Sequence, residues 1–165
     1  MKYKYIILLF ISQVLLGCYS FKGISIPSDI KTYYVHDVIL SDTRNAPPDI
    51  PEKFLEQLRK VIRSQSSLIE SERNSDIEFI CDITRFNISN EASNQNNEVA
   101  LNKLTISVKV EYLNTKDDDD TWTKTFSFGI PFDPSADLNE LQDGFINDIF
   151  IEITDQVFND AFTNW

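Results

Sequence analysis

Chemistry near the N-terminus centres on Cys18. It follows Leu15-Leu16-Gly17, and a small residue before a cysteine at the end of an apolar run is the pattern of a bacterial lipobox. There a diacylglycerol is joined to the cysteine sulfur and the chain is cut just before that residue. Cys81, in Ile77-Glu78-Phe79-Ile80-Cys81, reads as a small core residue, the alternative being a Cys18–Cys81 disulfide in an oxidising compartment. The single histidine, His36, stands among tyrosines and valine with no visible partner and without a Gly-x-Ser-x-Gly elbow or a phosphate loop, so it reads as structural rather than catalytic. Asp117–Asp120 is a run of four acids that lacks the glycine and terminal glutamate of a calcium loop; it reads as a solvated turn. Asn87-Ile88-Ser89 fits the glycosylation pattern, which in a lipobox chain reads as chance. No catalytic residue, metal site or cofactor is expected.

A hydroxyl-rich patch is the remaining candidate. Lys103, Thr105, Ser107 and Lys109 alternate with apolar residues, as do Thr123, Thr125 and Ser127, so one face of a two-stranded hairpin carries all of them. Such a face reads equally as plain solvent exposure and as a docking surface for a polar, water-lined wall like the interior of an outer-membrane barrel.

The elements that must position these residues follow from periodicity. Residues 1–17 combine Lys2 and Lys4 with an apolar run from Ile6 to Leu16, which predicts a signal peptide too short to span a bilayer. Residues 18–28 read as a lipidated tether and residues 29–165 as one domain. Ile30–Ile39 reads as a first strand and Ser41–Pro51, with three prolines, as a loop. Asp49, with Glu52 as capping-box partner, opens a helix to about Ser64 whose Phe54, Leu55, Leu58, Val61 and Ile62 share a face. After a minor piece near Leu68-Ile69, Ile77–Ser89 is a strand that changes phase at Arg85-Phe86, which predicts a bulge. Asn87–Glu98 reads as a long hairpin loop. Leu104, Ile106, Val108, Val110 and Tyr112 make the clearest strand, and Trp122–Ile130 returns beside it with Trp122, Phe126 and Phe128 inward. An N-cap at Ser135 or Asp137 opens a final helix with a stripe of Leu138, Leu141, Phe145, Ile149, Ile153, Val157, Ala161 and Trp165. Phe150 and Ile151 broaden that stripe and leave apolar surface that a partner could cover. The expected fold class is α+β, a two-layer sandwich with a mainly antiparallel sheet of about four strands and two helices on one face, in the order β-α-β-β-β-α.

Charge limits the function. The chain has 26 acids against 15 lysines and arginines and a formal charge of −11. Loss of residues 1–17 removes two lysines and no acid, making it more negative still. This balance argues against nucleic acid as a partner and against broad adhesion to anionic lipid. Several acyl chains on Cys18 would instead hold the protein at a membrane, each buried methylene contributing about 0.8 kcal/mol. Tyr19 is not an inner-membrane retention signal, and Ser20-Phe21-Lys22 lacks an acidic cluster for surface display. The expected place is the outer membrane, lipid-anchored and facing the periplasm.

The chain resembles the LPS-assembly lipoprotein family LptE. The resemblance lies in Cys18-Tyr19-Ser20-Phe21 with Gly23 and Ile26-Pro27, in the segment from Ala100 to Val110, in Phe126-Ser127-Phe128 and in a terminal helix ending in Asn164-Trp165. It implies a two-layer domain that sits as a plug in the outer-membrane β-barrel LptD, helps that barrel assemble, and aids delivery of lipopolysaccharide to the surface. It also implies lipopolysaccharide contact through basic side chains, for which the matching strand offers Lys103 and Lys109, while the acidic balance departs from that pattern. The alternative is a stand-alone lipid- or ligand-binding envelope lipoprotein, which needs a cavity between helices and sheet.

Overall fold

The computed structural model describes residues 26–41, 46–91 and 101–163. The predicted signal peptide, Cys18, most of the tether, and Asn164-Trp165 lie outside the described residues.

Among the described residues six strands and two long helices follow one another as β1 (Thr32–Val35), β2 (Ile39–Leu40), α1 (Ile50–Gln65), β3 (Ile69–Glu70), β4 (Ile77–Glu91), β5 (Leu101–Asn114), β6 (Trp122–Phe132) and α2 (Leu138–Phe162). The sheet order is β3-β1-β4-β5-β6, with β2 also on β4. β4, β5 and β6 are antiparallel neighbours, whereas β1 is parallel to both β3 and β4, and β2 is parallel to β4. The expectation of about four, mainly antiparallel strands is therefore corrected to a mixed sheet of six. Its cause is α1, a crossover long enough to bring the chain back parallel to β1.

The expected first strand is two pieces. β1 pairs Tyr33 with Ile77 and Val35 with Phe79, the chain steps out at His36-Asp37-Val38, and β2 rejoins the same side of β4 at Asp82 and Ile83. The bulge is where the phase change places it, with the register of β4 against β5 shifting between Ile83 and Arg85. Asn87–Glu91 is not loop but the continuation of β4, paired to Leu101–Thr105.

α1 starts with Pro51 in its first turn, but Asp49 makes no side-chain cap bond. Asp49 has helical backbone angles, and Pro51 has no N–H to offer at the second position, so the predicted capping box does not close. The Asp49 carboxylate pairs instead with Lys53 Nζ at 2.8 Å. At the far end Ser66 closes the helix, its N–H and Oγ both donating to the Ile62 carbonyl, at 3.0 and 2.7 Å.

One sheet face is buried under both helices. Tyr33, Val35, Ile77, Phe79, Cys81, Ile83, Leu104, Ile106, Val108, Val110 and Tyr112 are fully buried on it. Phe54 of α1 meets Phe150 of α2 edge-on at 5.1 Å, and Phe162 meets Phe79 and Tyr112 at 6.3 and 6.4 Å. The stripe of α2 holds at Ile149, Ile153, Val157 and Ala161 but is broader than expected. Ile146, Phe150, Phe158 and Phe162 are buried with Ile149, Ile153 and Val157, while Leu141 is 40% exposed. Phe150 is thus core and not surface left for a partner.

Candidate functional site

Among the described residues the opposite face of the sheet carries no helix, and strand register fixes what lies on it. Across β4, β5 and β6 the rows read Ile80, Glu111, Thr123; then Asp82, Lys109, Thr125; then Arg85, Ser107, Ser127; then Asn87, Thr105, Gly129; then Ser89, Lys103, Pro131. All six predicted contact residues, Lys103, Thr105, Ser107, Lys109, Thr123 and Thr125, therefore share this face. They differ in exposure. Lys109, Thr123 and Thr125 are exposed and Lys103 and Thr105 half-buried, but Ser107 is only 5% exposed. Its hydroxyl lies 2.9 Å from that of Ser127, and the two satisfy each other.

Gly129 explains how Lys103 is held. A β-carbon there would stand 2.8 Å from both Lys103 Cε and Thr105 Oγ1, so the absent side chain leaves the trough in which the lysine stem lies. Lys109 is placed by strand register. It faces Asp82, whose Oδ2 accepts from Ser41 Oγ at 2.8 Å and whose Oδ1 is buried without a hydrogen bond.

Towards β1 the face becomes aromatic and ionic. His36 Nε2 lies 2.8 Å from Glu78 Oε2, and Tyr34 meets the imidazole edge-on at 4.8 Å. Ser75 Oγ donates to the other Glu78 oxygen at 3.0 Å. The hydrogen bond with His36, helped by Ser75, holds the Glu78 carboxyl below its usual range. Here the acid stands between serine and histidine, so the imidazole cannot take the serine proton as a base would in nucleophilic catalysis. The partner of His36 was invisible in the sequence because only the parallel β1–β4 pairing brings the two together.

Asp76 is a second group that spacing could not reveal. Its carboxylate accepts from the N–H groups of Lys31 and Thr32 at 2.7 and 2.9 Å and pairs with Lys116 at 3.0 Å. These bonds, the Lys31 N–H foremost, draw its pKa from 3.8 down to about 2. Lys116 also donates to the Asp29 carbonyl, so Asp76 and Lys116 clamp the segment from Asp29 to Thr32 onto the β5–β6 turn.

In that turn two of the four acids are occupied locally. Asp117 accepts from the Asp119 N–H at 3.1 Å, and Asp120 accepts from Asn114 Nδ2 at 3.0 Å. Cys81 is an unpaired, fully buried cysteine whose thiol is pushed up to about 12 by burial, which makes it inert. A groove of about 580 Å³ runs between α1 and α2 on the helix side. Lys53 bridges it, reaching Asp143 at 3.0 Å, and its walls mix Glu52, Glu56 and Lys60 above buried Phe150. Among the described residues no helix is long and apolar enough to cross a membrane.

Comparison with known proteins adds the family. A hypothetical protein of Chlamydia trachomatis is similar in structure, with TM-score 0.59 and 11% identity over 81% of this chain and 99% of that one. A minor lipoprotein of Acinetobacter baumannii gives 0.53 and 10% over 79% and 91%, and a protein of Xanthomonas campestris gives 0.52 and 13% over 79% and 85%. At such identities the likeness is one of fold. No curated protein sequence matches the chain. The model of the lipopolysaccharide-assembly family LptE matches residues 35–161, from the end of β1 through the sheet and nearly all of α2, and the chain belongs to that family.

Proposed function

We propose that this protein is a non-enzymatic outer-membrane lipoprotein, anchored through Cys18 and facing the periplasm. It seats as plug and assembly factor in an LptD-like β-barrel that carries lipopolysaccharide to the surface. Family membership over residues 35–161 is the observation that carries the reading. The face opposite α1 and α2 supplies the surface: hydroxyls and two lysines set on a rigid sheet suit the polar wall of a barrel interior. On this reading Lys103, Thr105, Lys109, Thr123 and Thr125 touch the partner or the glycolipid, and Ser107 supports the face through Ser127.

A stand-alone carrier would need room between helices and sheet. The side chains there, Phe54, Phe79, Tyr112, Phe150 and Phe162, are in mutual aromatic contact, which favours the plug.

Charge neutralisation tests the face. Reversing Lys109 to glutamate would set two acids opposite each other at Asp82 and disturb the sheet as well as any docking. Lys103→Gln with Lys109→Gln avoids that. Tagged full chain carrying both changes, recovered from detergent-solubilised membranes of the native host, should bring down about tenfold less β-barrel than the unaltered chain, by analogy with other desolvated charge pairs. Equal barrel recovery would remove the lysines from the interface, and recovery of the unaltered chain without any barrel would remove the reading itself.

A further inference from the structure

Between β1 and β2 the chain leaves β4 and returns to it, and the segment from His36 to Ser41 is held at each end by a carboxylate of β4. At its start His36 Nε2 lies 2.8 Å from Glu78 Oε2, and the His36 N–H donates to the Phe79 carbonyl at 3.0 Å. At its end Ser41 Oγ donates to Asp82 Oδ2 at 2.8 Å and the Ser41 N–H to the Ile83 carbonyl at 3.1 Å. β2 itself pairs only at Ile39 and Leu40. Ile39 is 54% exposed, and Val38 and Leu40 are partly buried against the core. A segment with so few buried contacts opens more readily than the strands it lies on, so each side-chain tie is a large share of what keeps it closed.

One of the two ties depends on protons. Histidine is the side chain that ordinarily changes charge between about pH 5 and 8, and this chain has a single one. Protonated, His36 meets the Glu78 carboxylate as an ion pair; neutral, it keeps at most a hydrogen bond. Glu78 stays ionised across that interval, because His36 and Ser75 hold its carboxyl below the usual range. Around the pair stand Asp37 on the segment itself, Tyr34 edge-on from β1, Asp82 further along β4, and Glu111 of β5 opposite Ile80. The nearby cations are engaged elsewhere. Lys109 of β5 lies opposite Asp82 in register, and Arg59 of α1 reaches Glu70 and the Val35 carbonyl from the buried side. None of them replaces the imidazolium when it loses its proton.

We propose that His36 and Glu78 form a proton-dependent latch over the step between β1 and β2, closed most firmly when the imidazole is charged and loosened as pH rises through the histidine range. Its contribution is complete near pH 5.5 and lost towards pH 8. Release uncovers β4 at Asp82 and Ile83, beside Lys109 and Thr125 of the open face, so the acidity of the surroundings sets how firmly that part of the face is formed. The latch needs no barrel and stands independently of the docking proposed above. Both side chains are partly exposed, 40% and 28%, so the loosening is modest, about threefold in the opening equilibrium.

Hydrogen exchange of the full chain in detergent tests this, followed residue by residue by NMR from pH 5.5 to 8 and corrected for the intrinsic rate of each amide. The Ser41 amide should lose about threefold in protection across the interval, and the Val108 amide in the middle of the sheet should not follow it. His36→Gln keeps a donor for Glu78 but has no proton to lose, and Glu78→Gln leaves the imidazole without its carboxylate. Neither side chain belongs to the core, so both variants keep the fold, and in each the protection of Ser41 should be flat with pH. Protection in the unaltered chain that stays flat or rises from pH 5.5 to 8 overturns the proposal. A loss that survives in His36→Gln or in Glu78→Gln does so too.

Discussion

Asp76 shows how much one carboxylate can organise. It receives two backbone N–H groups from the start of β1 and an ammonium from the β5–β6 turn, tying together segments that lie 40 or more positions apart. Its pKa of about 2 lies below the ordinary 3.8, so the folded state binds its proton less readily than the unfolded chain does. The stability it contributes is complete above about pH 4 and is lost as pH falls towards 2. Asp76→Asn should therefore cost about 1–2 kcal/mol at pH 7 in urea unfolding, and the gap to the unaltered chain should close near pH 2. A gap that persists unchanged at low pH would mean that the carboxylate charge is not what holds the clamp. None of this was legible in Asn74-Ser75-Asp76; the function of the acid depends on a crossover that spacing does not encode. His36 and Glu78 were hidden by the same crossover.

Among the elements, β5 was the most legible, because strict alternation from Leu104 to Tyr112 allows only one buried face, and all five apolar residues are at most 1% exposed. The bulge in β4 was equally readable, since one extra residue must flip the pattern. Strand direction was not, because the pattern of β1 is the same whichever way its neighbour runs. α2 was legible in part, with Ile149, Ile153, Val157 and Ala161 buried as the spacing predicts. Apolar residues occur at Phe145, Ile146, Ile149, Phe150, Ile151 and Ile153, a band wide enough to admit more than one stripe, and packing against Phe54 and Phe79 selects the one that includes Phe150 and Phe162. Two substitutions separate the stripes. Phe150→Ala should destabilise by about 3–5 kcal/mol, whereas Leu141→Ala should stay within about 0.5 kcal/mol of the unaltered chain. Comparable losses from both, measured in denaturant titrations, would reinstate the stripe through Leu141.

At the scale of the whole molecule, a mixed sheet presses one face onto two helices and offers the other, studded with hydroxyls and a few charges, to whatever it meets. The sequence resemblance to the LptE family holds over residues 35–161, and the candidate contact residues gather on a single face because they alternate on adjacent strands. What sequence could not convey is the detail of that face: Ser107 is buried against Ser127, Lys103 lies in the trough of Gly129, and Lys109 lies opposite Asp82 in register. A photoreactive side chain placed at Thr123 on the open face, and another at Glu152 on the exposed side of α2, test docking through this face in intact cells. If the protein docks through this face, irradiation joins the Thr123 position, and not the Glu152 position, to a heat-modifiable protein of β-barrel character. Barrel adducts from Glu152 alone would contradict it.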